Sequence, residues 1–551
     1  MIRLMSIFVM CLALVASAHA ATYYVATTGD DANPGTQEEP WSTVQKAANT
    51  MVAGDSVIVA AGTYTEAVDI TVSGSSGSVI TFDGTTGAVM ESPDPGASLE
   101  AFDVKAGVAY IHIVGFELRG GYDETIFVRA GAHDVLIKDC NIHDNKTGIL
   151  FGGSFDSVVD GCMIHDNSQN GVSFTSGTHD IVVKETDSYS NDDGLGCSGD
   201  ADGFSATAGT SDLTFIDVKA YNNGEDGFDL KANNASLDRT ESYGNCRGTR
   251  FWENGTLTNS LVHGNTNVGI TLTNLSGNDN TITLHHNTID ESVRGILANA
   301  NDPYTVMMQN NIVTGTKPLE APTCVTLEED YNLYFRTPTT ADHIIIQTGC
   351  STTTTTTRYD GNDIEDGTWE SAGGGTNSRA VDPEYLDAGN NDFRLGSASP
   401  AIDAGLLIAV PWFDFTGTAR PQGAEVDMGA YERTSDVCAL DVDGNDTVDV
   451  ATDVVYISRT LLGLSAVPPS FRIIDPTIPA DEIIEAFIND HLLEYNVDKH
   501  DVLNVATDVV YISRTLLGLA PVPPSFRDID PNIPPDDVIE AYVNGAESGC
   551  P

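Results

Sequence analysis

The sequence predicts an all-β, right-handed parallel β-helix followed by a small α-helical calcium-binding module. Three observations predict this arrangement: a glycine-centred repeat of about one solenoid coil, a column of asparagines in step with it, and a tandem duplication near the C-terminus. A solenoid buries its core by stacking repeats, so a chain of 551 residues can form one long interior. We expect a signal peptide at 1–20, the β-helix domain at 21–435 with a cap near 380–432, and the module at 436–551.

The N-terminus has the three parts of a secretory signal peptide. Arg3 supplies a positive charge, an apolar run extends over residues 4–16, and Ala18-His19-Ala20 forms a small-residue cleavage site. The run is too short to span a bilayer, and no other stretch approaches the necessary length. The protein is therefore expected to be secreted, with no membrane span.

Secretion places the remaining cysteines in an oxidising environment, where disulfides form. Cys438 and Cys550 bracket the C-terminal module and are one plausible pair, and Cys324 and Cys350 flank a loop and are a second. Cys140 and Cys162 are spaced by one coil, so they are expected as stacked thiols. The sequence leaves the connectivity open.

The charge of the chain limits its partners. Eighty acidic residues against 26 Lys and Arg give a formal net charge of -54. Nucleic acid and anionic membranes would be repelled by such a chain. An acidic polysaccharide remains possible where divalent cations bridge the two polymers, and the simpler interpretation of the charge is solubility in a salty environment.

The repeat consists of a glycine followed by an apolar–x–apolar alternation, which is typical of a short strand with one buried face. The glycines are Gly148, Gly171, Gly203, Gly227, Gly248, Gly269 and Gly295. We expect each of them at a bend that leads into the strand. A second strand stands upstream in each repeat, as in residues 135–137, 181–183, 213–215 and 282–284. The predicted coil is thus strand, turn, strand, turn.

Asparagines recur in step with the glycines, each closing a tripeptide such as HDN or YNN. They are Asn145, Asn167, Asn191, Asn223, Asn245 and Asn265. Stacked asparagines can hydrogen-bond from coil to coil, so we assign this column a structural role.

On two adjacent coils, acidic residues occupy the positions before and two after the repeat glycine, where most other coils have small or uncharged residues. Asp202 and Asp226 occupy the position before the glycine, Glu225 lies beside them, and Asp229 occupies the outward position two after Gly227. Stacked strands lie about 4.8 Å apart, so these carboxylates would repel one another unless a cation neutralised them. Hard oxygen ligands favour calcium, although a solvated acidic turn would give the same pattern. An inserted loop at 192–201 is expected beside this patch.

This pattern resembles family 9 polysaccharide lyases, secreted β-helix enzymes of the pectate lyase kind. The site resemblance lies in the segments Ala201-Asp-Gly-Phe204 and Glu225-Asp-Gly-Phe-Asp-Leu230. It implies a calcium site at Asp202, Glu225, Asp226 and Asp229. The residue that matches the family's catalytic lysine is Arg250, in the segment 248–252.

Arginine at this position changes the expected chemistry, because a base must be unprotonated and arginine stays protonated in nearly all settings. Arg250 remains the first candidate for the base, since other pectate lyases with this fold use arginine. Lys231 is the second candidate. Arg250 could instead clamp a substrate carboxylate or simply pair with Asp229 on the neighbouring coil.

The C-terminal module contains a duplication, in which residues 451–464 recur unchanged as 506–519. Alternating oxygen ligands precede the first copy and resemble the EF-hand-like calcium loop of a dockerin type I repeat. They are Asp441, Asp443, Asn445, Asp449 and Asp453. The resemblance implies a cohesin-like or cell-surface partner, with a calcium-stabilised tail as the alternative.

Taken together, the residues favour a calcium-dependent lyase that cleaves a uronic-acid-rich, pectate-like polymer by β-elimination. A glycoside hydrolase or uronate epimerase on the same fold is the first alternative, because the acidic patch could supply two catalytic carboxylates. A non-catalytic carbohydrate-binding or surface β-helix is the second.

Overall fold

The computed structural model describes residues 20–433, except residues 276, 278–279, 292, 300–302, 337, 339, 348–354 and 409–412. The chain winds as a solenoid in which each coil contributes one strand to each of three sheets. All neighbouring strands in these sheets are parallel except the last pair of the third sheet. The predicted parallel β-helix is therefore confirmed for the described residues.

The sheets are numbered in the order in which each coil visits them. Sheet 1 contains Thr22–Val25, Ser56–Val59, Ile80–Asp83, Ala109–Val114, His133–Lys138, Phe155–Asp160, His179–Lys184, Ser211–Ile216, Asn233–Asp238, Gly255–Thr258, Thr281–His285, Tyr304–Gln309 and Val325–Asp330. Sheet 2 contains Gly62–Thr65, Ala88–Glu91, Glu117–Arg119, Asn141–His143, Met163–His165, Asp187–Tyr189, Lys219–Tyr221, Glu241–Tyr243, Leu261–His263, Thr288–Asp290, Ile312–Thr314 and Leu333–Phe335. Sheet 3 contains Val68–Ile70, Phe102–Val104, Glu124–Val128, Thr147–Gly152, Val172–Thr175, Phe204–Ala206, Asp226–Leu230, Arg247–Phe251, Val268–Leu272, Arg294–Ala298, Lys317–Pro322, Asp342–Gln347 and Thr356–Asp360.

The coil has three strands rather than the two expected from the sequence. The strands predicted after each glycine form sheet 3, and those predicted upstream form sheet 1. Sheet 2 was not predicted because most of its strands have only three residues. In Asn141–His143, for example, Ile142 alone is buried. One inward side chain gives no alternation to detect.

The interior is one continuous hydrophobic cluster that extends from Val25 to Ala380. Inward residues of all three sheets fill it, and Cys140 and Cys162 lie in it as buried free thiols on adjacent coils, as predicted. Burial of this apolar surface is the main stabilising contribution to the solenoid.

The asparagine column is a hydrogen-bonded ladder, as predicted. The Nδ2 of Asn167 donates to Oδ1 of Asn191 at 2.9 Å, and Asn191 donates to Asn223 at the same distance. The ladder ends where Nδ2 of Asn265 donates to Oε1 of Glu291 at 2.7 Å. A second ladder runs through Asn287, Asn311 and Asn332 on another turn.

The repeat glycines are required by close contact rather than by a bend. None of the seven has a positive φ. A Cβ on Gly148 would lie 2.4 Å from the carbonyl oxygen of Gly171 on the next coil, and a Cβ on Gly227 would lie 2.7 Å from that of Gly248. Glycine is therefore selected by the space between coils, not by backbone conformation.

Short helices contribute buried side chains to the core at its two ends, and two 3₁₀ turns lie elsewhere along the chain. The helix Val44–Ala48 packs near the first coils, with Thr43 as its N-cap. The helices Gly361–Glu365 and Thr368–Ser371 follow the last strand of sheet 3, and Gly196–Ser198 and Ala388–Asn390 are single 3₁₀ turns.

The predicted cap region, near 380–432, contains the hairpin Tyr385–Asp387 and Asp392–Leu395. It packs beside sheet 2, where Leu395 and Met428 join Ile312 and Leu333 in a second small core. No helix within the described residues is long and apolar enough to cross a bilayer.

Candidate active site

The predicted acidic patch lies on sheet 3 and on the turn that leads into it. Asp229 is in register with Arg250 on the next coil and with Ser205 on the preceding coil, as the outward column predicted. Asp202 precedes the strand Phe204–Ala206, and Asp226 begins the next strand. The structure therefore brings together the residues that the sequence had placed on one patch.

Three of the carboxylates are deeply buried. Asp202 is 2% exposed, Asp226 is fully buried and Asp229 is 7% exposed, while Glu225 is half-buried. The backbone N–H of Asp226 donates to Oδ1 of Asp202 at 3.0 Å, and the N–H of Asp202 donates to Oδ1 of Asn170 at 2.8 Å. These hydrogen bonds fix Asp202 between two coils.

Burial and mutual repulsion make the ionised state of this patch costly. Burial raises the pKa of Asp202 well above its ordinary value, and the charges of Asp226 and Asp229 raise it further. Burial also raises the pKa of Asp226 to about 7, although Arg247 opposes the shift. Buried carboxylates ionise readily only when cations neutralise them.

Two cationic side chains pair with the carboxylates. Arg247 forms ion pairs with Glu225 and Asp226, and Lys231 forms one with Asp229. Arg247 was not singled out from the sequence, although it occupies the same column as Asp226 one coil further on. Its position in that column was the signal that could have identified it.

Arg250 lies close to the carboxylates without hydrogen-bonding to them. Its guanidinium nitrogens are 3.8 Å from Oδ2 of Asp226 and 4.0 Å from Oδ1 of Asp229, and its buried Nε has no hydrogen-bond partner. The guanidinium stacks 3.9 Å from the centre of the Trp252 ring. Trp252 in turn donates its indole N–H to Asp229. This aromatic support holds Arg250 in place and leaves its donors available.

The donor set fits a hard divalent cation. Both carboxylate oxygens of Asp226 are buried, and Oδ1 is engaged in an ion pair with Nε of Arg247 at 2.5 Å. Oδ2 has no hydrogen-bond partner and lies 3.8 Å from the guanidinium of Arg250. A buried carboxylate oxygen without a hydrogen-bond partner is available as a ligand for calcium, which binds oxygen donors. Within the described residues, however, no three His, Cys, Asp or Glu side chains already converge as a preformed metal site. Calcium would therefore compete with the cations of the chain itself.

The inserted loop at 192–201 lies beside this patch, as predicted. The N–H of Glu225 donates to the carbonyl of Ala201 at 3.0 Å. A disulfide between Cys197 and Cys246 ties the loop to the residue before Arg247, with a Cα–Cα distance of 5.4 Å. The pairing was not predicted, because the two cysteines are 49 residues apart and only the coil register brings them together.

Several predicted features lie outside the described residues. These are the signal peptide before residue 20, Cys350, the possible pair Cys438 and Cys550, and the calcium loop with Asp441, Asp443, Asn445, Asp449 and Asp453. Cys324 is disulfide-bonded, which is consistent with its predicted involvement in a bridge.

A family model described as the Pel9A-like, right-handed β-helix region matches residues 23–317. Among curated proteins, the uncharacterized protein YwoF of Bacillus subtilis (strain 168) is 42% identical over 59 residues. That match covers 11% of this chain and 13% of YwoF, so the chain spans only a small part of this relative.

Three solved structures have a similar chain fold but low sequence identity to this protein. The pectate lyase Pel9A is 17% identical over 75% of this chain and 96% of its own, with a TM-score of 0.44. XylC in complex with xylose is 12% identical over 75% and 99%, with a TM-score of 0.46. A rhamnogalacturonan lyase is 16% identical over 69% and 96%, with a TM-score of 0.40. None of the three is similar enough to indicate an activity.

Proposed function

The chain belongs to the Pel9A-like right-handed β-helix family, and from this membership we propose that it is a secreted, calcium-dependent polysaccharide lyase. It cleaves a uronic-acid-rich, pectate-like polymer by β-elimination. The observation that carries the proposal is the buried Oδ2 of Asp226, which has no hydrogen-bond partner, within a cluster of four acidic side chains one coil from Arg250.

Asp202, Glu225, Asp226 and Asp229 hold calcium in this proposal. Calcium, when bound, neutralises a substrate carboxylate and so acidifies the adjacent C5 proton. The residues of the chain orient the uronate and accept that proton. A double bond then forms between C4 and C5, the bond from C4 to the glycosidic oxygen breaks, and that oxygen leaves with a proton. The products are a shortened chain and an unsaturated sugar end.

Arg250 is the proposed base. The reason for preferring it over Lys231 is that the two side chains differ in how closely they pair with carboxylates. Lys231 is engaged in an ion pair with Asp229, and a base must be free to accept a proton. Arg250 makes only longer contacts with the carboxylates, 3.8 Å to Asp226 and 4.0 Å to Asp229, and stacking on Trp252 fixes its direction. If Arg250 instead clamps a substrate carboxylate, it does so from the same position beside the acidic patch.

One assay tests the proposal and its alternatives. The mature protein is incubated with polygalacturonate and other uronic polymers, with calcium or a chelator, and the absorbance of unsaturated product is followed. We expect product only with calcium. New reducing ends without unsaturated product would establish a hydrolase, and changed uronate stereochemistry without cleavage would establish an epimerase. If no polymer is turned over, the lyase proposal is refuted, and a non-catalytic binding protein is the alternative that remains.

For the C-terminal module, we propose dockerin-like calcium binding that attaches the enzyme to a cohesin-like or cell-surface partner. The sequence 441–453 supports the proposal through its alternating oxygen ligands. Asp441→Asn with Asp443→Asn in the full chain should abolish calcium-dependent binding to an immobilised cohesin and leave lyase turnover unchanged. Unchanged binding by this variant would contradict the proposal.

A further inference from the structure

A second concave site lies apart from the acidic patch. A cavity of about 610 Å³, open to solvent, lies between the last strands of sheet 2 and the segment 382–388. Its lining includes Asp290, Thr314 and Phe335 of sheet 2, the following residue Arg336, and Tyr385 of the hairpin. The cavity lies at the turn between sheets 2 and 3, three coils beyond Asp226. Its volume is typical of small-molecule sites, which occupy about 300–1,000 Å³.

The charge of the cavity excludes an anionic occupant. Its lining carries the acidic side chains of Asp290, Asp382 and Glu384 against the single cation Arg336. Burial raises the pKa of a fourth acidic residue, Glu291, to about 8, so this group holds its proton at neutral pH. No ion pair within the described residues neutralises Asp290, Asp382 or Glu384. A uronate chain, with one negative charge per sugar, would be repelled here. The cavity is thus not an extension of the site proposed for the acidic polymer.

The occupant is not expected to be a metal ion. The cavity is many times larger than an ion, and two of its carboxyl groups are already engaged in hydrogen bonds. Glu291 already accepts two hydrogen bonds from Asn265, at 2.8 Å and 2.7 Å. Asp290 accepts one from the hydroxyl of Thr314.

A donor and several acceptors remain available in the cavity. The hydroxyl oxygen of Tyr385 is buried and has no hydrogen-bond partner. Burial raises the pKa of this phenol, and the charges of Asp290 and Asp382 raise it further, so the hydroxyl keeps its proton and can donate it. A buried hydroxyl without a partner costs free energy that a bound ligand would recover. Asp382 uses one oxygen to accept the N–H of Glu384 at 3.0 Å and retains lone pairs.

The lining also includes an aromatic side chain. Phe335 is half-buried and contributes an apolar surface beside these polar groups. Carboxylate acceptors, a phenolic donor and an aromatic surface together match a ring that carries both hydroxyl groups and apolar C–H faces. We propose that this cavity binds a neutral sugar unit or short neutral oligosaccharide. The site would recognise uncharged sugars in a mixed polysaccharide independently of the calcium-dependent site.

Saturation-transfer NMR on the mature full chain tests this proposal, because it detects weak sugar binding. The probes are D-galactose, D-xylose and L-rhamnose, with D-galacturonate as the charged comparison. We expect a saturable signal from at least one neutral sugar and a weaker one from galacturonate. Tyr385→Phe and Asp382→Asn should each weaken the neutral-sugar affinity about tenfold, which corresponds to the loss of one hydrogen bond.

Asp387→Asn is the matched control, since this exposed carboxylate lies on the same hairpin strand but does not line the cavity. It should leave the affinity unchanged. The proposal is overturned if none of the three neutral sugars gives a signal, if galacturonate binds as well as they do, or if the signal survives in both cavity variants. Calcium binding that Asp382→Asn abolishes would assign the cavity to a cation instead. Lyase turnover is measured separately, so failure here is distinguishable from failure of the proposed enzyme.

Discussion

At the scale of single residues, the candidate site is a buried charge cluster whose parts come from three successive coils. Four carboxylates face three cations, namely Lys231, Arg247 and Arg250. The excess of one negative charge, if all are ionised, leaves the cluster suited to additional positive charge. Removing a single member of such a cluster exposes the others to uncompensated repulsion, so the choice of substitution matters.

Replacement of Arg250 separates the catalytic candidates. Arg250→Ala should lower kcat on polygalacturonate by about 10²–10⁴-fold, as expected for loss of a general base. Arg250→Lys should retain more activity, because lysine deprotonates more easily than arginine. Lys231→Ala should have a smaller effect on kcat, since its ammonium pairs with Asp229. Initial rates of unsaturated product formation are the measurement.

Arg239→Ala is the control for these variants, because Arg239 pairs with Asp217 on another turn of the coil. Its turnover should match that of the wild type. A full rate in Arg250→Ala together with a large loss in Lys231→Ala would reverse the assignment of the base.

Glu291 gives the protein a pH-dependent stability. Burial raises its pKa to about 8 from an ordinary value of 4.5, outweighing the hydrogen bonds from Asn265. The folded state therefore holds a proton that the unfolded state releases. The stabilisation is complete below about pH 4.5, falls as pH rises towards 8 and is constant above it. Since each pKa unit corresponds to about 1.4 kcal/mol, the total is on the order of 5 kcal/mol.

Glu291→Gln cannot titrate and isolates this contribution. The Tm of the wild type minus that of the variant should decrease steadily between pH 5 and pH 8. Thermal unfolding in a buffer series measures both curves. Parallel curves across this range would show that Glu291 has the same pKa in the folded and unfolded states.

At the scale of the elements, sheet 3 and the asparagine ladder were predictable because each repeats a chemical signature once per coil. Residues such as Asn191 and Asn223 stand in register in the sequence and hydrogen-bond in the structure. Sheet 2 was not predictable from three-residue strands with a single inward side chain. The disulfide between Cys197 and Cys246 was likewise hidden, because a loop insertion separates its cysteines in sequence.

The repeat glycines show how an element depends on contact between coils. In Gly148→Ala the new Cβ would lie 2.4 Å from the oxygen of Gly171 and 2.5 Å from Cγ2 of Ile164. Both atoms belong to packed coils, so the strands must move apart. We expect a loss of about 1–3 kcal/mol in the free energy of unfolding, measured by denaturant titration.

The control for this substitution is Gly389→Ala, where the nearest atom to the new Cβ is Oδ1 of Asp387 at 3.5 Å. This exposed variant should lie within about 0.5 kcal/mol of the wild type. If Gly148→Ala proved as stable as Gly389→Ala, the glycine column would not be set by the spacing of the coils.

At the scale of the whole molecule, the net charge of -54 and the single solenoid core act against each other. Self-repulsion destabilises a compact acidic chain, and stacked coils bring their carboxylates within a few ångströms. Calcium should therefore stabilise the fold through specific binding as well as through screening. Ionic strength accounts only for screening, so a comparison at matched ionic strength separates the two effects.

Two variants then locate the site at which calcium binds specifically. In a background of Asp441→Asn with Asp443→Asn, which weakens the predicted C-terminal loop, calcium should raise the Tm by about 2–5 °C over magnesium at equal ionic strength. Adding Asp226→Asn removes one carboxylate charge from the patch while preserving its shape, and the calcium-specific rise should disappear. An equal rise in both proteins would place the stabilising ion elsewhere. Because this measurement needs no substrate, it tests the calcium site independently of the lyase reaction that the site is proposed to support.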